Sequence, residues 1–144
     1  MTTQGPSGAP IAASQTKLWK DLRDLDKVAY SASYARLTGS VAGGVLLAQI
    51  IYWSKPDKEG KTKLRVKKRG ELWIAKSREE WEKETGLTVR QVKSAQDRLA
   101  CLDLIEKDRF LFAGKVAVHV RLNLETVAAR LAALTDVKPG GKDS

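Results

Sequence analysis

A cluster of polar side chains between residues 88 and 94 contains the residue types best suited to a defined chemistry in this chain. Arginine can donate two hydrogen bonds to guanine, and glutamine can pair in a similar way with adenine. Arg90 and Gln91 provide these two side chains in succession. Thr88, Lys93 and Ser94 complete a polar set that suits a DNA groove, although Thr88 can instead cap a helix.

Two helix-start signals position this cluster. Ser77 is followed three residues later by a glutamate and Thr88 by a glutamine, the pattern of a capping box. They predict helices over 78–85 and from 89 to about 101, with Gly86 at the left-handed position between them. These lengths are typical of a helix-turn-helix, with Leu87 filling the corner and the second helix entering the major groove.

Two strands follow the helix pair. Residues 104–112 and 115–122 flank Ala113-Gly114 and predict an antiparallel hairpin, or wing. The alternation from Val116 to Leu122 predicts a half-buried strand with His119 on its polar side. Cations near the hairpin tip, Lys107, Arg109 and Lys115, suit contacts to phosphate or to the minor groove.

A basic segment precedes the helix pair. Residues 55–69 contain 8 basic and 2 acidic side chains, and the chain has a net charge of +9. The segment is interpreted either as a phosphate-contacting hairpin or as a solvated loop, and 62–67 and 71–76 predict a short hairpin or a single strand. The predicted DNA-backbone contacts are Lys67, Lys68, Arg69, Lys76, Arg98, Lys107, Arg109 and Lys115.

Further helices are predicted on both sides of this unit. Leu18, Leu22 and Leu25 indicate a helix within 17–36. Ser40 caps a helix over 41–54 that Pro56 ends; it is apolar nearly all round, which predicts burial, and Gly43 and Gly44 allow a close helix approach. A last helix over about 125–135 has Val127, Leu131 and Leu134 on one side.

The chain is therefore expected to hold one domain, residues 17–136, between disordered tails at 1–16 and 137–144. Trp53, Trp73 and Trp81 are expected in the core, and Cys101 is expected to be a small buried hydrophobe. Glutamates 79, 80, 82 and 84 are expected to form a solvated face of the first helix of the pair.

Composition excludes several classes of protein. One cysteine and one histidine exclude a disulfide framework and a thiolate zinc site, and no phosphate-binding or nucleophile motif is present. We therefore expect no enzyme activity, metal or cofactor. No apolar run approaches a membrane span, and the N-terminus lacks a secretion signal, which predicts a cytoplasmic protein. The net charge favours a polyanionic partner.

Five segments together resemble the winged-helix domains of bacteriophage and plasmid proteins, namely 49–53, 73–81, 84–92, 102–106 and 119–123. The similarity is to the N-terminal DNA-binding domains of replication initiators and replisome organisers, over about residues 28–123. It implies an α+β fold, a winged helix-turn-helix with a three-helix core, a β-hairpin wing and flanking N- and C-terminal helices. The positions that it implies for base reading are Val89, Arg90, Gln91, Lys93, Ser94 and Asp97.

The expected function is sequence-specific binding of double-stranded DNA in replication initiation or transcriptional regulation of a mobile element. One winged helix covers few base pairs, so a homodimer on an inverted repeat is expected. Its surface is predicted on the N-terminal helix (Leu18, Trp19, Leu22) or the C-terminal helix (Val127, Leu131, Leu134). The alternatives are a protein-interaction module that inhibits a host or replisome protein and, more weakly, RNA binding.

Overall fold

The computed structural model describes residues 15–19 and 27–136, and the side chains of 15–19 and 32–134. The fold is α+β, as the sequence predicts. The helices are 15–19 (α1), Lys27–Thr38 (α2), Val41–Ser54 (α3), Arg78–Thr85 (α4), Val89–Cys101 (α5) and Leu124–Asp136 (α6). The strands are Val66–Lys68 (β1), Glu71–Ala75 (β2), Ile105–Phe112 (β3) and Lys115–Leu122 (β4).

The four strands form one antiparallel sheet in the order β1-β2-β4-β3. Strand β4 is central: Val120 lies opposite Ile74 of β2 on one side and Lys107 of β3 on the other. Both hairpins turn through two consecutive residues with positive φ, 53° and 77° at Arg69-Gly70 and 54° and 82° at Ala113-Gly114. Such turns match the twist of paired strands. The hairpin predicted over 104–122 is confirmed. Of the two alternatives for 62–76, the structure has the short hairpin, but its first strand begins at Val66 and 62–65 are not in a strand.

The helix starts predicted from capping residues are confirmed. Ser40 Oγ accepts a hydrogen bond of 2.8 Å from the Gly43 amide, and α3 ends two residues before Pro56. The predicted close helix approach is at Gly44, where a Cβ atom would lie 2.9 Å from the backbone nitrogen of Ala35 in α2. The absence of a side chain there lets α2 and α3 pack backbone to backbone.

The core lies between one side of the sheet and the helices. It contains Ile74 of β2, Trp81 of α4, the apolar side of α5 and the inward residues of α6; its most buried members are Leu46, Leu47, Ile50, Trp81, Val92, Leu99, Leu104, Ile105, Val120, Val127 and Leu131. Trp19 of α1 is also buried. Val127, Leu131 and Trp19 therefore serve the core of their own chain, which contradicts their prediction as a dimer surface.

Two further burial predictions are wrong. Helix α3 is not buried all round, because Val41 and Tyr52 are 75% and 53% exposed. Cys101 is exposed, because it lies four residues after Asp97, on the exposed side of α5. Trp73 and Trp81 are buried as predicted, whereas Trp53 is half-buried at the surface of α3.

Some predictions fall on residues outside the described ranges. These are Leu22, Leu25, the tail 137–144 and the tail 1–16 except for residues 15 and 16, which are helical. Within the described ranges, no single helix is long and apolar enough to cross a membrane. One pair, 32–38 and 41–54, reaches that length and composition only jointly, across a bend of 113°.

Candidate nucleic-acid interface

The junction between α4 and α5 is built from local hydrogen bonds. Ser77 and Glu80 form a complete capping box at the start of α4, with bonds of 3.1 and 2.8 Å. Gly86 ends that helix with φ +80°, and the Thr85 hydroxyl accepts a bond from the Leu87 amide. Leu87 is buried at the corner. The turn thereby holds α5 at a defined angle to α4, as the sequence predicts.

Helix α5 has two distinct sides. Val92, Ala95 and Leu99 are buried, and the mid-helix Gln96 is buried with them. Arg90, Gln91, Lys93, Ser94 and Asp97 are exposed on the other side, and Val89 is half-buried. Five of the six predicted base-reading residues therefore share one exposed surface, and the sixth lies at its edge.

Gln91 also has a structural role. Its side-chain oxygen accepts a 3.0 Å bond from the Thr88 amide, and the Thr88 hydroxyl accepts a 3.1 Å bond from the Gln91 amide. This second capping box occupies the acceptor that a two-bond contact with adenine needs. In this conformation, Gln91 offers a partner its amide NH₂ group as a donor.

Asp97 joins α5 to β3. Its carboxylate accepts a hydrogen bond from Lys107 of β3 and another, of 2.9 Å, from Lys93 one helical turn earlier. These bonds, that from Lys107 being the stronger, lower the pKa of Asp97 to about 2 from its ordinary 3.8. Asp97 is therefore ionised at neutral pH and already paired, so its arrangement fits a role in orienting two lysines better than direct base reading.

The β3–β4 hairpin lies beside the start of α5. Arg109 is on the same side of β3 as Lys107, and Lys115 follows the turn; both are exposed. Within the described residues, the side chains of Arg90, Arg109 and Lys115 make no ion pair. These three cations are therefore available to a phosphate or a base.

The tip of this hairpin exposes more apolar side chains than the sequence indicates. Leu111, Phe112 and Val116 are 62%, 43% and 63% exposed. Val116 and Lys115 line a cavity of about 440 Å³ that also touches Val89, Gln96 and the first turn of α4. The cavity shows that the hairpin tip and the N-terminal ends of both helices border one continuous surface. The Gln96 side-chain oxygen is buried there without a hydrogen-bond partner in the described structure.

Lys76, predicted to contact the DNA backbone, is placed elsewhere. Its ammonium lies 2.6 Å from Glu84 and 4.1 Å from the ring centre of Trp53, and its side chain is 15% exposed. The other Glu84 oxygen accepts bonds of 2.9 and 2.7 Å from Gln49 and Trp53 of α3. Burial acts to raise the pKa of Glu84, but the bonds from Lys76, Trp53 and Gln49 outweigh it and lower that pKa.

This network, which the sequence analysis missed, links α4 to α3 beneath the candidate interface. The sequence predicts Glu84 to be one of the solvated glutamates of α4. Its partners on α3 are 31 and 35 residues away in the chain, and no local pattern connects them.

The other predicted backbone contacts are distributed over the molecule. Arg98 donates a hydrogen bond to the Thr38 carbonyl and so joins α5 to the α2–α3 turn. Arg69 pairs with Asp108 and lies 4.9 Å from the ring centre of Phe110. Lys67 and Lys68 belong to β1, the edge of the sheet opposite β3. The structure thus does not bring the β1 cations next to α5.

His119 is fully buried, which contradicts its predicted place on a solvated strand face. Its ring is 5.2 and 6.0 Å from the ring centres of Phe110 and Phe112, and its Nδ1 lies 2.9 Å from the Ala117 carbonyl oxygen. The predicted inward side of β4 is buried at Val120 and Leu122, but Val116 on that side is 63% exposed. The error was to treat the second side of β4 as wet, since an aromatic group that includes Trp73 covers that second side.

The described residues contain no group of three or more histidine, cysteine or acidic side chains that could hold a metal ion. Comparison of the chain with protein-family models, with curated proteins and with solved structures gives no match. The function is therefore inferred from the geometry of the candidate interface itself.

Proposed function

We propose that this chain is a winged-helix protein that binds double-stranded DNA with sequence specificity, in the replication or transcriptional control of a mobile element. The order helix α3, strand β2, helices α4 and α5, then hairpin β3–β4 supports the winged-helix assignment. In this assignment α5 is the recognition helix and the β3–β4 hairpin is the wing.

One observation carries the proposal. Helix α5 is held on its apolar side and presents Arg90, Lys93 and Ser94 on the opposite side, beside a hairpin with two unpaired cations. A helix of 13 residues is about 20 Å long and fits a major groove about 12 Å wide. Within the described residues, Arg90, Arg109 and Lys115 take part in no ion pair, whereas Lys93 and Lys107 pair with Asp97.

The proposed roles follow from the contacts. Arg90 reads a base, with guanine as its preferred partner, because its guanidinium is exposed and unpaired. Ser94 and the Gln91 amide add single hydrogen bonds. Arg109 and Lys115 bind phosphates and set the position of the helix in the groove. Asp97 holds Lys93 and Lys107 along the edge of this surface.

The test is selection of bound duplexes from a random library, followed by fluorescence anisotropy with one selected and one scrambled duplex at two salt concentrations. At the higher salt concentration, we expect the selected duplex to bind at least about 1,000-fold more tightly than the scrambled duplex, as is typical of specific DNA binders. Equal affinity for both duplexes would reduce the function to electrostatic DNA coating. No binding at low salt would refute DNA as the ligand.

The alternative function, binding of a host protein, is favoured by the exposed apolar tip of the hairpin. A tip with Leu111, Phe112 and Val116 suits an apolar pocket as well as it suits a wedge in the minor groove. The double variant Leu111→Ser, Val116→Ser separates the two, because a wedge contributes to DNA affinity whereas a protein-binding tip leaves that affinity unchanged.

A further inference from the structure

Helix α3 carries an apolar stripe on its solvent side, bordered at one end by the Lys63 ammonium, which lies 4.8 Å from the ring centre of Tyr52. Its members are Val41, Val45, Ala48 and Tyr52, all exposed. The opposite side of α3, with Leu46, Leu47 and Ile50, packs into the core. A helix of a monomeric protein normally turns polar residues to solvent, so four apolar residues in line indicate a contact surface.

The charge distribution restricts what this surface can meet. Helix α3 has no charged residue, whereas every other helix in the described ranges has at least one. Two copies of a chain with net charge +9 repel each other over most of their surfaces. Helix α3 itself therefore brings no charge to the stripe. The cation that borders it, Lys63, lies at the Tyr52 end, and an antiparallel pair of α3 helices sets the two Tyr52 ends apart.

The spacing of the stripe also makes it self-complementary. Its residues are separated by four, three and four positions, so the stripe reads the same in both directions. In an antiparallel pair of α3 helices related by a two-fold axis, Val41 lies opposite Tyr52 of the second copy and Val45 lies opposite Ala48. Each larger side chain thereby meets a smaller one, and the two-fold axis repeats both contacts.

We infer that the α3 stripe is the homodimer surface of this protein, with the two α3 helices antiparallel across a two-fold axis. It replaces the N- and C-terminal helices, whose residues Trp19, Val127 and Leu131 are buried within the chain. A four-residue stripe is small beside the ~800 Å² per partner of a standard interface, so the dimer is expected to be weak, with a dissociation constant in the micromolar range.

This arrangement rests on the proposed function in one respect: it would place two α5 helices on inverted half-sites of DNA. The stripe is on the side of α3 turned away from α5, so both surfaces can be used at once. Dimerisation itself needs no DNA and is tested without it.

The experiment is sedimentation velocity of the full chain without DNA over a range of about 1 to 200 μM, for the wild type and two variants. Ala48→Glu places a carboxylate in the stripe, and Ala133→Glu places the same charge on an exposed alanine of α6. We expect a wild-type monomer–dimer equilibrium, at least ~100-fold weaker in Ala48→Glu and unchanged in Ala133→Glu. Circular dichroism and binding of a half-site duplex establish that Ala48→Glu is folded.

Disulfide trapping tests the antiparallel geometry, in a Cys101→Ser background that removes the exposed native thiol. A mixture of Val41→Cys and Tyr52→Cys chains is expected to form a mixed disulfide dimer. Val41→Cys alone is expected to stay uncrosslinked, because the two Val41 positions would be separated by about 16 Å along the helix axis.

A wild-type chain that stays monomeric throughout, or a dimer that Ala48→Glu leaves intact, would overturn the inference. Preferential crosslinking of Val41→Cys with itself would overturn the antiparallel arrangement. If dimerisation is confirmed while no duplex binds, the proposed DNA function fails and the dimer stands.

Discussion

Helices α3 and α5 are nearly equal in length, 14 and 13 residues, and both pack one side on the same core, yet their solvent sides differ completely. The exposed side of α5 carries arginine, lysine, glutamine and serine, whereas that of α3 is uncharged and apolar. The first suits the charged grooves of DNA and the second suits another apolar surface. In the two proposals above, the chain therefore uses separate surfaces for DNA and for a second copy.

The largest expected effect separates the two sides of α3. Leu46→Ala removes a fully buried side chain and is expected to lower the free energy of unfolding by about 2–5 kcal/mol. Val41→Ala, in the same helix but 75% exposed, is expected to change it by less than about 0.5 kcal/mol. Urea unfolding at a dilution where the chain is monomeric measures both. Equal losses would show that the stripe is buried within the monomer.

A smaller effect is expected when cations beside α5 are removed. The double variant Arg109→Ala, Lys115→Ala removes two proposed phosphate contacts and is expected to reduce the slope of log affinity against log salt by about 2, on any duplex. The matched control is Lys67→Ala, which removes one exposed cation at the opposite edge of the sheet. If Lys67→Ala changed the slope and the double variant did not, the phosphate contacts would lie at β1 and not at the β3–β4 hairpin.

The smallest expected effect concerns the link between α5 and β3. Asp97→Asn breaks an exposed ion pair and is expected to cost no more than about 1 kcal/mol of folding free energy. The pKa of Asp97 is about 2 in the folded chain, below its ordinary 3.8, so the contribution is present above about pH 4 and is lost as the pH falls toward 2. Unfolding of both chains across this range should therefore converge at low pH. A difference that grows on acidification would contradict the pairing.

The helices around the candidate interface could be predicted from sequence because their boundaries are encoded locally. Ser77 with Glu80, Gly86, and Thr88 with Gln91 mark starts and ends within a few residues of chain. The exposed set on α5 follows from helical spacing once those bounds are known.

What could not be predicted depends on contacts between distant residues. Lys76 is held by contacts with Glu84 and with Trp53 of α3. Arg98 is held by a hydrogen bond to the Thr38 carbonyl, 60 residues away in the chain. The burial of His119 depends on aromatic residues of two other strands. The apolar composition of α3 revealed a buried helix but not which of its sides stays exposed.

The central claim is that α5 reads bases. Its most direct test is to measure, for Arg90→Ala, the ratio of the dissociation constants for the scrambled and the selected duplex. An exposed arginine in the last turn of α2, Arg36, provides the control variant Arg36→Ala. We predict that Arg90→Ala lowers the ratio by about 10- to 100-fold, the worth of one bidentate base contact, and that Arg36→Ala leaves it unchanged. Equal weakening on both duplexes would show that Arg90 binds only phosphate and would contradict the claim.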